Sequence, residues 1–149
     1  MLTDAIFRAL VAVPSLQRQF RKMVFRLPHR QRLVQHFGQE LWVDPSELSG
    51  FYVYYERNYD DYIFQFLSAR IAGFDRALDI GANIGIYTVF LAARIARIDA
   101  FEPEPLVLQR LTANLEQNGL ASFCRETHDF FGSSSPRSKK ALTFQGRAS

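Results

Sequence analysis

The segment Ala77-Leu78-Asp79-Ile80-Gly81-Ala82-Asn83-Ile84-Gly85 constrains this chain more than any other, because an apolar run ends there in a glycine-bracketed turn and reopens as a helix. That is the strand–turn–helix unit of open α/β sheets, in which ligands sit beyond the carboxyl ends of the strands. Downstream the rhythm repeats. Ala77–Ile80 reads as a short buried strand, Ile84–Arg94 as a helix with Ile84, Thr88, Leu91 and Ala92 inward, and Ile98–Phe101 as a second strand. Pro105 suits the first turn of the next helix, whose stripe is Leu108, Leu111 and Leu115 and whose stop is Asn118-Gly119. Leu120–Cys124 follows as a third strand. The βαβαβ order predicts a parallel sheet with crossover helices.

The chemistry of the turn narrows the ligand. A phosphate-binding P-loop requires Gly-Lys-Ser/Thr, yet Gly85 precedes Ile86-Tyr87-Thr88; a dinucleotide loop requires Gly-x-Gly-x-x-Gly, whereas Gly81 and Gly85 are separated by three residues. Asp79 would repel a pyrophosphate. S-adenosylmethionine (SAM) has no phosphate and carries a sulfonium and an ammonium group, so an acid at that strand end suits it better. Glu102, at the end of the second strand, stands 21 residues after Gly81, where a carboxylate accepts from the two ribose hydroxyls of an adenosine. A simpler reading makes Asp79 a helix cap and Glu102 a surface acid; their joint spacing in a βαβ context argues against it.

The run Leu78-Asp79-Ile80-Gly81-Ala82-Asn83-Ile84-Gly85-Ile86-Tyr87-Thr88, with Phe101-Glu102-Pro103-Glu104-Pro105, Asn114-Leu115 and Asn118-Gly119-Leu120, resembles the FkbM family of SAM-dependent methyltransferases. Trp42-Val43-Asp44-Pro45 and Tyr55-Glu56 also resemble segments that precede the glycine motif there, so the likeness covers roughly residues 40–124. The resemblance implies a Rossmann-like methyltransferase fold and methyl transfer from SAM to a hydroxyl of a sugar, glycan or polyketide-like small molecule. It also implies that Asp79, Gly81, Ala82, Asn83 and Gly85 line the methionine side of SAM while Glu102 holds the ribose. By analogy with related methyltransferases, Asp129, just past the third strand, lies near the adenine. The motif of base-amino methyltransferases is missing, so no nucleic-acid substrate is expected.

The rest of the chain divides into a basic helical region (1–36), short strands and a helix leading into the domain (37–75), the SAM-binding half-sheet (76–126) and a polar tail (127–149). Residues 1–36 carry Arg8, Arg18, Arg21, Lys22, Arg26, Arg30 and Arg32 against the single acid Asp4. Such a face is a solvated helix surface or a contact for a membrane or an acidic partner. Thr3 or Asp4 caps a first helix that Pro14 ends or kinks, and Leu16, Phe20, Met23, Val24 and Leu27 mark a second. Leu41-Trp42-Val43 and Phe51-Tyr52-Val53-Tyr54-Tyr55 read as β-like runs around turn-rich Asp44–Gly50. Asn58 looks like the N-cap of a helix burying Tyr59, Ile63, Phe66, Leu67 and Ile71.

No apolar run approaches the ~20 residues of a membrane span. Cys124 is the single cysteine, which excludes an intrachain disulfide and fits a reducing, cytoplasmic setting. No Cys/His cluster supports a structural zinc, and His29 and His36 lack evident ligand companions, so no metal is expected. No catalytic base is identifiable: His128 is a loop histidine with no visible partner, and Glu56 is either an acid facing the active site or an ordinary helix-proximal one. The sheet looks incomplete: beyond the third strand only Leu142-Thr143-Phe144 offers strand material, and Thr127–Gly132 matches the family's turn only in part. A gap, a frame change or truncation would each produce this. The expectation is an unpaired edge along the central strand, prone to self-association. Two alternatives to the methyltransferase accompany it: a non-catalytic remnant, and a basic module whose first 36 residues bind a membrane or partner.

Overall fold

The computed structural model describes Ala9 and residues 13–57, 59–127 and 141–145. Helix α1 (Pro14–Val24) opens with Pro14 in its first turn, where the missing N–H has no helical partner to lose. Strands β1 (Arg32–His36) and β2 (Gln39–Val43) pair antiparallel, with His36 opposite Gln39. Their two-residue loop, Phe37-Gly38, takes φ +46° and +82°, the left-handed pair that matches the twist of a tight hairpin. The expected helical region 1–36 therefore ends in a strand. Side chains that alternate outward and inward from Leu33 to His36, together with pairing to β2, override the helical reading.

The aromatic run after β2 also departs from expectation. Phe51–Tyr55 is helical: α2 (Leu48–Phe51) continues into a π-helical turn, Tyr52–Glu56, which Arg57 ends at φ +57°. Gly50 explains the local fold. A Cβ there would stand 1.9 Å from the Asp44 carbonyl oxygen, so Ser49-Gly50 marks a close backbone approach and not a turn. Helical spacing then puts Phe51 and Tyr55 on one face against Phe20 of α1, at ring separations of 5.9 and 5.2 Å. Packing across elements defeats the β-propensity of the aromatic residues.

Helix α3 (Asp61–Arg70) buries Phe64 and Leu67. Phe66, expected inside, is exposed under the Arg70 guanidinium, 4.0 Å from the ring centroid. Phe64 takes the inward position because it stacks between Tyr87 and Phe37, 4.7 Å from each ring. The expected caps at Thr3 or Asp4 and at Asn58 lie outside the described residues.

The main sheet comprises β3 (Arg76–Ile80), β4 (Arg97–Phe101), β5 (Cys124–Thr127) and β6 (Ala141–Gln145), all parallel, in the order β5-β4-β3-β6. Helices α4 (Ile86–Ala92) and α5 (Pro105–Gln117) make the crossovers. The third strand starts at Cys124 and not at Leu120 as expected. Leu120 closes α5 through its N–H to Leu115 O, and Ala121–Phe123 forms a 3₁₀ turn that carries the chain back to the sheet.

The unpaired central edge is corrected outright. β6 lies along β3, with Leu142 opposite Ala77 and Phe144 opposite Asp79, so the central strand is bonded on both sides. The open edge among the described residues moves outward to β6. Every residue of α4 is buried, and its Val89, Phe90 and Leu91 fill the core with Ile84, Ile98 and Leu111. No helix of the described residues is long and apolar enough to cross a membrane.

Candidate functional site

The site is built on the turn between β3 and α4. Gly81 adopts φ +76°, and the N–H groups of Gly81 and Ala82 both donate to Phe101 O at 3.0 Å. This pins the turn to the end of β4, next to Glu102. Asn83 takes φ +51°, and its Oδ1 accepts from Ile84 N at 2.7 Å. Gly85 closes the loop at φ +87°, with its N–H donated to Ala82 O.

The two glycines do different work. A Cβ on Gly85 would come 3.1 Å from Leu111 Cγ, so this glycine lets α5 pack against the loop. Nothing lies within 4 Å of a Cβ built on Gly81, which leaves the backbone open to close approach.

Glu102 is 8% exposed, and the turn itself orients its carboxylate: Oε2 accepts from Asn83 N at 2.8 Å and Oε1 from Glu104 N at 3.0 Å. A carboxylate offers about four lone-pair sites, so two remain for other donors. Asp79 sits deeper, 1% exposed, where its Oδ2 accepts from Thr88 Oγ1 at 2.5 Å. Burial, opposed by the Thr88 bond and reinforced by the negative Glu102, pushes its carboxyl up to about 6. The structure thus brings Asp79, Gly81, Ala82, Asn83, Gly85 and Glu102 to the adjacent ends of β3 and β4, where Asp79, Ala82, Gly85 and Glu102 are buried, Asn83 is half-buried and Gly81 is exposed. Asp129, and His128 beside it, lie outside the described residues.

Sequence reasoning missed the supports. Asn114 of α5 is fully buried and donates through Nδ2 to Ile84 O at 2.8 Å and to Trp42 O at 3.2 Å, while its Oδ1 accepts from Trp42 N at 2.7 Å. One amide thereby joins the glycine turn to β2. Asp60 occupies the N-cap position of α3 at φ +51° and accepts from the Tyr87 hydroxyl at 2.5 Å. Burial and the Asp60 carboxylate raise the Tyr87 phenol above its ordinary range. Nothing in local spacing signals either contact, since the partners stand far apart in the chain.

His29 has carboxylate companions after all: its Nδ1 is 3.0 Å from Asp44 Oδ2 and 3.9 Å from Glu47 Oε1. Arg110 Nη1 already donates to both Glu47 oxygens, and Ser46 N and Oγ donate to Asp44 Oδ1. Competing cation and donors of this kind make the cluster an ion-pair network. His36 is a core residue, edge-on to Phe37 and Phe64, and burial lowers its pKa. Glu56 accepts from Gln17 Nε2.

A parallel sheet with a glycine-bracketed turn after its central strand and an acid ending the neighbouring one defines the Rossmann-like fold of SAM-dependent methyltransferases. Solved structures agree on that fold. The aTrm5 structure in complex with tRNALeu is 11% identical at a TM-score of 0.58, over 87% of this chain and 45% of that one. A SAM-dependent methyltransferase from Agrobacterium tumefaciens is 13% identical at 0.55, over 69% and 33%. TYW2 of M. jannaschii, in complex with AdoMet, is 17% identical at 0.52, over 67% and 43%. The chain spans less than half the length of each. No protein-family model matches the chain, and no curated protein does.

Proposed function

We propose that this chain carries the SAM-binding half of an FkbM-type O-methyltransferase acting on a hydroxyl of a sugar, glycan or polyketide-like small molecule. The observation that carries the reading is the Glu102 carboxylate, held by two backbone N–H groups of the turn with two acceptor sites to spare. Those sites match the two hydroxyls of a ribose. Gly81, with open space over its α-carbon, admits the cofactor's chain against the backbone. Asp79 and Thr88 lie beneath, where a buried carboxylate favours the positive groups of SAM over a phosphate. The residues present therefore fit the group. SAM supplies a methyl group activated by its sulfonium; the chain's task is to fix that methyl in line with an acceptor oxygen.

Incubation with SAM labelled in the methyl group, across panels of glycosides, hydroxylated small molecules and tRNA, tests the proposal. Label recovered as an alkali-stable methyl ether on a hydroxylated acceptor is the expected result. Label recovered in tRNA, or in no acceptor while SAM still binds, would contradict the assignment of substrate class.

A further inference from the structure

A cleft of about 330 Å³ opens between the end of α1, the entry to β1 and the segment after β2, and the methyl-transfer reading makes no use of it. Its size falls at the lower end of small-molecule sites, about 300–1,000 Å³. Val24, Leu27, Pro28 and Pro45 give it apolar walls, and Tyr54 and Tyr55 supply aromatic ones. Arg30 and Arg32, two positions apart, line it as well. Among the described residues the side chains of Arg30 and Arg32 make no ion pair or hydrogen bond, as is also true of the exposed Arg18, Arg26 and Arg97, but these two alone of them line the cleft.

Asp44 is the acid in the cleft, and its charge is already engaged. Oδ1 accepts from Ser46 N at 2.8 Å and from Ser46 Oγ at 2.5 Å, and Oδ2 faces His29 Nδ1 at 3.0 Å. What remains is a pair of free guanidinium groups beside an apolar and aromatic pocket. Guanidinium forks match phosphate oxygens two at a time, and the walls suit a ring or a hydrocarbon body.

We infer that this cleft binds a phosphate ester, with Arg30 and Arg32 on the phosphate and the body against Leu27, Pro45 and the two tyrosines. Such an ester comes from solution or from a lipid headgroup. Leu27, in the cleft wall, is exposed, so an acyl chain attached to the headgroup would meet it.

Calorimetric titration of the full chain with phenyl phosphate and with inorganic phosphate tests the site, and sedimentation with vesicles of phosphatidic acid in phosphatidylcholine separates the sources. Saturable binding of phenyl phosphate, tighter than inorganic phosphate and weakened about tenfold or more in Arg30→Gln/Arg32→Gln, is expected. Arg30→Lys/Arg32→Lys should fall between. Vesicle binding lost in the glutamine variant assigns the lipid source, and phenyl phosphate binding without vesicle binding assigns the soluble one. Both arginines are exposed and unpaired, so S-adenosylhomocysteine affinity and the melting midpoint should not move. No saturable binding of phenyl phosphate, or binding unchanged in the glutamine variant, overturns the inference.

Discussion

Asp79 shows how a single buried residue carries a stability cost. Its folded pKa of about 6 stands above the 3.8 of an exposed aspartate, so between those values the folded chain holds more protons than the unfolded one. Linkage then gives the sign: this carboxyl's contribution to stability is greatest below pH 4 and declines as pH rises through 6, by roughly 2–3 kcal/mol. Asp79→Asn keeps an acceptor for Thr88 and removes the titration. Urea midpoints from pH 4 to 7 should therefore show the variant gaining on the wild type as pH rises; a constant difference would contradict the buried-carboxylate account. The sequence made Asp79 and Glu102 visible as acids at strand ends. It left their orientations hidden, because these depend on Thr88 and on the Asn83 and Glu104 amides, which folding brings near.

At the scale of elements, the glycine turn depends on α5 through Asn114. Asn114→Ala leaves the Trp42 amide, the Trp42 carbonyl and the Ile84 carbonyl without their side-chain partner. Unsatisfied buried groups cost about 1–3 kcal/mol each, and with partial relaxation the expected loss is about 2–4 kcal/mol in urea unfolding. A loss below about 0.5 kcal/mol would mean that the amide does not hold the turn to β2. Elements were legible where local rules decide them: β3, β4 and α5 lie close to their predicted bounds, with Pro105 at the start of α5 and Gly119 at φ +66° past its end. They were illegible where distant packing decides. Phe51–Tyr55 has strand composition, but contact with Phe20 and the backbone approach at Gly50 make it helical. The hairpin of β1 escaped notice because Phe37 at positive φ is not a residue that signals a tight turn.

For the whole molecule, the decisive contact is β6 along β3. Nothing in Ala141–Gln145 announces where it pairs, and a strand returning from the far side of residues 128–140 is a nonlocal event. A chain ending at Thr127 loses this strand and bares the apolar edge of β3, so size-exclusion chromatography should show it aggregated where the full chain is better dispersed. Equal dispersion of the two would mean that the β3 edge needs no cover. The central claim is that the turn at Gly81–Gly85, with Glu102, forms a SAM site. Calorimetric titration of the folded full chain with S-adenosylhomocysteine tests it most directly. The account predicts saturable binding at one site, weakened at least about tenfold by Glu102→Ala and abolished by Gly81→Val, in which a β-branched residue is forced to φ +76°. Affinity unchanged in both folded variants, or no binding by the folded wild-type chain, would contradict it.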